Sequence, residues 1–279
     1  MARPQKTISA SFRNGSALLA LLLSWQVWAF PESSPVPGGI VTLKLGAQSE
    51  NRPTVYYKNN VVAVTAHNGY WHAIVGLSLN TQLGHQEVRI NGEGLGFEVK
   101  NKDYPEQHIT LKTNKHVDLS AADLKRHKGE KKQATQVFKA FDTSQAPDLA
   151  FMKPVKGPYS SLFGLKRFFN EKPRNPHSGL DIAAPTGTKV LTPSPGKVVL
   201  TGNFFFNGKV VYVDHGLGLI SMFCHLNEID VKVGEALVKG QPLGKVGATG
   251  RVTGAHLHWS VSLNNARVDP MELLPKEKN

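Results

Sequence analysis

The sequence predicts a mainly β protein, in which a small N-terminal β sandwich or barrel-like domain and a C-terminal antiparallel β domain are joined by a helical connector. Residues 40–111 contain short β-branched or aromatic runs, such as "IVTLKL" and "VVAVTA", separated by the turn signals "KNN", "HNG" and "ING". Residues 150–270 contain further paired apolar runs between turns rich in Gly and Pro. The predicted segments are 1–29 for a leader, 30–112 for the N-terminal domain, 113–149 for the connector and 150–279 for the C-terminal domain.

The leader is predicted to be a secretory signal peptide. A Leu-rich run from Ala17 to Leu23 precedes Val27 and Ala29, which stand at cleavage positions. A membrane anchor is the alternative, but Ser24 and Gln26 interrupt the apolar stretch, which is shorter than the roughly 20 residues that a span needs. The cations before the run are Arg3, Lys6 and Arg13. We therefore expect cleavage near Ala29 and a periplasmic or secreted protein without stable membrane insertion.

The N-terminal domain shows no pattern that indicates chemistry. Its histidines have no metal-ligand spacing, which favours surface or strand-packing roles: they are His67, His72, His85 and His108.

The connector is predicted to be helical between Ser120 and Phe141. Ser120 followed by Asp123 resembles a capping box, whereas Gly129 disfavours one continuous helix. The basic string "LKRHKGEKK" is typical of a solvated helix face or linker. The weak apolar face consists of Leu124, Val137, Phe138 and Phe141.

The net charge is +12 at pH 7, and removal of the leader, with three cations and no anions, leaves +9. Nucleic-acid binding would account for this charge, but export favours a polyanionic envelope as the partner instead. The single cysteine, Cys224, permits no internal disulfide, and its apolar surroundings in "LISMFCHL" favour a buried side chain over a nucleophile.

The first candidate site is "GAHLHWSV" near the C-terminus. In an extended strand, His256 and His258 point to the same face, so the pair could bind a metal. The alternative is two ordinary half-buried histidines, and more ligands are needed to decide.

Further candidate ligands lie upstream. In "PHSGLDIAAP", His177 precedes Asp181 by four residues, and Gly179 and Pro185 favour a loop entering a strand over a helix. His225 ends an apolar strand in "FCHL". His177, Asp181 and one histidine of the 256/258 pair would provide three ligands and leave a fourth tetrahedral position for water. Zn²⁺ in such a site can promote hydrolysis of an amide, with the remaining histidines as base and oxyanion stabiliser.

Several sequence blocks together resemble the lysostaphin-type peptidoglycan zinc endopeptidases. They are "SSLFGLKR", "HSGLDIAAPTGTKV", "GKVVYVDHGLGLISMFCHL", "VKVGEALVKGQPLGKVG" and "TGRVTGAHLHWSV". The resemblance covers approximately residues 151–270, and the region before it resembles, less specifically, the accessory domains of Gram-negative relatives.

The resemblance implies that His177, Asp181 and His258 bind one zinc ion, and that His225 and His256 are the two catalytic histidines that do not bind it. It implies attack of zinc-bound water on a peptide cross-link of peptidoglycan, in Gram-negative relatives the D-alanyl-diaminopimelyl bond. Such an enzyme would act in cell-wall remodelling. His215, in "VDHGLG", lies in a shared block, but a direct catalytic role is disfavoured.

The alternative function is a catalytically idle wall-binding module that activates another peptidoglycan hydrolase. The complete set of five residues argues against it. A phosphate-binding loop is excluded because "GQPLGKVGATG" lacks the motif G-x-x-x-x-G-K-[ST], and no G-x-S-x-G serine elbow occurs.

Overall fold

The computed structural model describes residues 30–110 and 119–276. The predicted signal peptide, residues 1–29, lies outside these ranges. Within them, no helix combines the length and the apolar character needed to cross a membrane.

The N-terminal part is a pair of antiparallel sheets around one core, as the sequence predicts. The strands are β1 (Ile40–Ala47), β2 (Val55–Tyr57), β3 (Asn60–Val61), β4 (Ala63–His67), β5 (Tyr70–Gly76), β6 (Gly84–Ile90) and β7 (Glu93–Val99). One sheet has the order β1-β5-β4 and the other β3-β2-β6-β7. Alternation along the strands places Val41, Val75 and Val88 in the core that the two sheets share.

The C-terminal part is built from short strands of mainly antiparallel pairing. They are β9 (Tyr159–Ser161), β10 (Lys166–Phe169), β11 (Lys172–Pro173), β12 (Leu180–Ala183), β13 (Lys189–Leu191), β14 (Gly196–Phe204), β15 (Gly208–Asp214), β16 (Ile220–Leu226), β17 (Glu228–Ile229), β18 (Ala236–Leu237), β19 (Pro242–Lys245), β20 (His256–Leu263) and β21 (Ala266–Val268). A 3-10 helix follows at Pro270–Leu273.

One large sheet carries the predicted site. Its order is β18-β14-β15-β16-β20-β12-β9, with β21 paired to β20. Trp259 and Phe223 are fully buried beneath it, and the central strand β16 is buried along its whole length. A separate small sheet has the order β13-β19-β17. The large core supports β12, β16 and β20, which bear Asp181, His225, His256 and His258.

A strand from the N-terminal region joins the C-terminal part. β8, at Glu106–Ile109, runs parallel to β10, with Gln107 opposite Arg167. This parallel pair departs from the antiparallel pattern that the sequence predicts. The contact brings residues before the connector next to the candidate site.

The connector contains the predicted helix, α1 (Ala121–Lys139). The Ser120 hydroxyl accepts a hydrogen bond from the Asp123 N–H, which confirms the predicted N-cap. The helix continues through Gly129, contrary to what that residue favours. Glu130 is buried and bonds both to Arg126, one turn earlier, and to the Phe205 N–H, so tertiary contacts offset the cost of glycine.

Candidate metal centre and its cleft

His177, Asp181 and His258 converge on one point at the surface of the large sheet. His258 Nδ1 lies 2.7 Å and His177 Nε2 3.1 Å from Asp181 Oδ1. The two imidazole nitrogens are 3.0 Å apart. Among the described residues, this is the one set of three His, Cys, Asp or Glu side chains found close enough together to hold a metal ion.

The strand register produces this convergence. β12 and β20 pair antiparallel with Asp181 opposite His258, so that both side chains leave the same face of the sheet. His177 comes from the segment before β12. Gly179 lies under the His258 ring, where a Cβ would stand 2.6 Å from Cε1 and 2.7 Å from Nε2. Glycine at position 179 therefore makes room for the imidazole.

Each of the three side chains has one further partner that orients it. His177 Nδ1 lies 2.7 Å from the Leu162 carbonyl oxygen, which can only accept. The Ser260 hydroxyl donates to Ser178 O and accepts from His258 Nε2 at 2.9 Å. These partners place the imidazole protons away from the centre and direct a lone pair of each ring towards it. The residues present therefore fit a divalent metal ion.

Asp181 is oriented by Arg167. Arg167 Nη2 donates to Asp181 Oδ2 at 3.0 Å and to the Ser161 hydroxyl at 2.9 Å. Arg167 Nε donates to Gln107 Oε1 at 3.1 Å. Strand β8 thus contributes to the orientation of Asp181 through Arg167.

The protonation states of Asp181 and His258 suit metal binding. Burial alone would raise the pKa of Asp181, but the close contacts of its carboxylate with His177 and His258 outweigh this effect and hold the pKa well below its usual range. Burial lowers the pKa of His258, against the opposing effect of Asp181. An ionised carboxylate and a neutral imidazole are the forms that bind a metal.

His225 and His256 lie beside this cluster. The His225 ring centroid is 5.0 Å from that of His256 and 6.0 Å from that of His258. His225 Nδ1 lies 2.9 Å from Thr249 O, and His256 Nδ1 lies 2.9 Å from Gly254 O. Both carbonyls accept, so the Nδ1 protons are engaged and each Nε2 remains for other chemistry. His256 Nε2 is 3.9 Å from Asp181 Oδ1.

The position of His225 requires unusual backbone geometry. It lies in β16 with φ of +62°, in the left-handed region that few residues other than glycine adopt. Its N–H donates to Asn207 O at 2.8 Å, which stabilises the conformation. Burial lowers the pKa of His225 to about 3, and His258 and His256 contribute in the same direction. The ring is therefore neutral at pH 7 in the metal-free protein.

All five candidate residues line one cleft of about 420 Å³. Its other walls are aromatic and cationic, and sequence reasoning assigned no role to its arginines. They are Arg167, Arg174 and Arg251, with Phe169 and Phe206 beside them. A larger cavity of about 1100 Å³ lies elsewhere, lined by Tyr104, Phe151 and Leu162 among others. We place the functional site in the smaller cleft because it contains the converging ligands.

Two residues disfavoured as catalytic groups lie in the interior. His215 Nδ1 is 2.7 Å from Pro195 O and Nε2 is 2.8 Å from the Ser221 hydroxyl, so both ring nitrogens are engaged. Cys224 is fully buried, and burial raises the pKa of its thiol to about 12. The prediction of a buried cysteine side chain is confirmed.

Two family models match the chain. Residues 175–270 match the model described as peptidase family M23, and this range includes all five candidate residues. Residues 33–102 match the model described as the peptidase family M23 N-terminal domain, which corresponds to the paired sheets before the connector.

Proteins of known sequence or structure that are similar to this chain include peptidases. A crystal structure from Pseudomonas aeruginosa, assigned to peptidase M23, is 41% identical with a TM-score of 0.73, over 86% of this chain and 95% of that one. Peptidoglycan DD-endopeptidase ShyA of Vibrio cholerae is 41% identical over 97 residues, which are 35% of this chain and 23% of ShyA. DD-carboxypeptidase/endopeptidase Mpg of Neisseria meningitidis is 34% identical over 97 residues, 35% of this chain and 22% of Mpg. The matched part thus spans less than a quarter of the length of these two curated relatives.

Proposed function

Because the chain belongs to peptidase family M23, we propose that it is a zinc metalloendopeptidase that hydrolyses peptide cross-links of peptidoglycan. One observation carries the proposal: three side chains direct lone pairs to one point, and two further histidines stand beside that point in an open cleft. A wall-binding protein would need neither the convergence nor the oriented imidazoles. The names of ShyA and Mpg, which refer to endopeptidases, support the same reaction class.

We assign the metal ligands to His177, Asp181 and His258. The donor set of two imidazole nitrogens and one carboxylate oxygen suits Zn²⁺ in a site with an open position. Bound there, Zn²⁺ would polarise the amide carbonyl and acidify a water molecule.

We assign proton transfer and oxyanion stabilisation to His225 and His256. Each presents Nε2 to the cleft, since its Nδ1 is held by a backbone carbonyl. One of them can take the proton of the attacking water and pass it to the leaving amine nitrogen. The other, when protonated at Nε2, can donate a hydrogen bond to the oxygen of the attacked carbonyl.

For the substrate we propose the D-alanyl-diaminopimelyl cross-link, and for the process, cell-wall remodelling. ShyA is named a DD-endopeptidase and Mpg a DD-carboxypeptidase/endopeptidase, which supports this choice of bond. The net charge, +12 for the full chain and +9 without the three cations of the predicted leader, favours accumulation at an anionic wall polymer. With the predicted leader removed near Ala29, the protein would work in the periplasm or outside the cell.

The test is to incubate the purified full chain with isolated sacculi in the presence of zinc, and to identify released and remaining muropeptides by mass spectrometry. We expect cross-linked dimers to be converted to monomers, with the masses naming the bond. Cosedimentation with the sacculi without any loss of dimers would refute hydrolysis. It would favour instead the wall-binding module that activates another hydrolase.

A further inference from the structure

The cleft has an excess of positive charge that the catalytic groups do not explain. Three arginines line it, Arg167, Arg174 and Arg251, whereas the one carboxylate among its described lining residues is Asp181. Arg167 is paired with that carboxylate. A divalent ion at the centre would add further positive charge. A cleft of this composition favours an anionic ligand.

Arg251 is held firmly in the cleft wall. Its guanidinium carbon lies 4.3 Å from the ring centre of Phe206 and 5.0 Å from that of Phe169. The backbone N–H of Arg251 donates to the Phe206 carbonyl oxygen at 2.9 Å. The preceding Gly250 has φ of +77°, and a Cβ there would collide with the backbone of Gly208, so glycine permits this close approach. A planar cation fixed between two rings is arranged in advance for binding.

Arg174 has an unsatisfied donor. Its backbone N–H donates to Arg167 O at 2.8 Å, which places it after β11 and next to the site. Its side-chain Nε is buried and has no hydrogen-bond partner in the structure. A buried donor without an acceptor destabilises the structure, and a ligand atom that accepts from Arg174 Nε would remove this cost.

Arg174 and Arg251 both line the cleft, so one bound anion can face both guanidinium groups. Burial lowers the pKa of Arg251 to about 10, and Arg167 and then Arg174 contribute by repulsion. Arg251 is still charged at pH 7. An anion placed between Arg174 and Arg251 would relieve this repulsion, because both guanidinium groups would then face an opposite charge.

We infer that Arg174 and Arg251 bind a substrate carboxylate adjacent to the scissile amide. This inference rests on the proposed function and specifies its substrate further. Diaminopimelic acid bears an amino and a carboxyl group at each end, so a cross-link through one amino group leaves a carboxylate on the same carbon. That carboxylate is two bonds from the amide nitrogen, within reach of groups lining the same cleft.

The test compares two cross-linked muropeptide dimers, one with this carboxylate free and one with it amidated, using the zinc-loaded full chain. We expect kcat/KM to be roughly 10- to 100-fold higher for the free carboxylate, the range of a charge-assisted hydrogen bond. Arg251→Gln and, separately, Arg174→Gln should bring the ratio of the two kcat/KM values towards one. The matched control is Arg89→Gln on the exposed strand β6, which should keep the wild-type ratio.

The outcomes separate the two proposals. Equal wild-type rates on both dimers would overturn the carboxylate site and leave the proposed hydrolase intact. An undiminished ratio in both arginine variants would overturn it as well. If the wild type cleaved neither dimer, the proposed function would fall and this inference with it. Using two separate variants protects the test against a folding defect in either one, which circular dichroism and zinc content would reveal.

Discussion

Arg167 Nη2 donates to Asp181 Oδ2 at 3.0 Å, so the carboxylate keeps its other oxygen for His177 and His258. Arg167 is in turn held by Gln107 and Ser161. Gln107 lies in β8, before the connector, and Ser161 lies in β9 of the large sheet. The orientation of one proposed metal ligand therefore depends on contacts between both parts of the chain.

Arg167→Lys should weaken zinc binding. Lysine keeps the charge but loses the planar set of donors that joins Asp181, Ser161 and Gln107. Loss of an orienting partner costs about 10- to 100-fold in metal affinity. Competition with a chromophoric chelator measures the affinity, and Arg89→Lys serves as the control. Unchanged affinity in Arg167→Lys would show that Asp181 needs no such partner.

His225→Ala and His256→Ala should separate catalysis from metal binding. Each removes a proposed proton-transfer or oxyanion group and none of the proposed ligands. We expect muropeptide release to fall by about 100-fold or more, with the zinc content and binding to sacculi retained. The control is His85→Ala, on an exposed strand residue. Loss of zinc together with activity would instead assign the altered histidine to the metal site.

His215 should make stability depend on pH. Burial lowers its pKa from 6.5 to about 4, so the unfolded chain takes up this proton more readily than the folded one. Stability is full above pH 6.5 and falls as the pH decreases towards 4. Between pH 7 and pH 5 the loss should be about 2 kcal/mol, and His215→Gln should remove that part of the dependence.

Urea unfolding of the zinc-loaded protein at the two pH values measures this effect, with His85→Gln as the exposed control. An identical pH dependence in wild type and His215→Gln would contradict it. Because His215 is buried and does not line the cleft, muropeptide release by His215→Gln at pH 7 also tests the view that it has no direct catalytic role.

Glu130→Ala should loosen the connector helix. The buried carboxylate accepts from Arg126 Nε at 2.7 Å and from the Phe205 N–H at 2.9 Å. The substitution leaves the Phe205 N–H without its acceptor, and we expect the free energy of unfolding to fall by about 1–3 kcal/mol. Lys132→Ala, on an exposed position of the same helix, should change stability by less than about 0.5 kcal/mol. Equal effects of the two substitutions would contradict a structural role for Glu130.

Local patterns predicted much of the fold. The alternation in "GAHLHWSV" placed His256 and His258 on one face of a strand, and β20 begins at His256. The apolar run ending in "FCHL" is β16, with His225 near its end. Ser120 caps the beginning of the helix, as predicted. These features follow from side-chain period and capping, which act within a few residues.

The features that the sequence did not predict depend on contacts between residues that are far apart in the chain. The predicted loop that enters a strand is confirmed, with Asp181 near the start of β12, but no local pattern predicts the pairing that places Asp181 opposite His258. The role of Arg167 depends on the parallel pairing of β8 with β10, which joins positions 60 residues apart in sequence. Gly129 was outweighed by Glu130, whose hydrogen bond to the Phe205 N–H crosses 75 residues. Long-range contacts of this kind leave no periodic trace in the sequence.

The most direct test of the account measures muropeptide release against the zinc content of the purified full chain. After treatment with a chelator, release should stop, and added zinc should restore it in proportion to the ion bound, up to one per chain. Asp181→Asn should neither bind the ion tightly nor recover activity. Continued release by the metal-free wild type, or full release by Asp181→Asn, would contradict a metal centre formed by His177, Asp181 and His258.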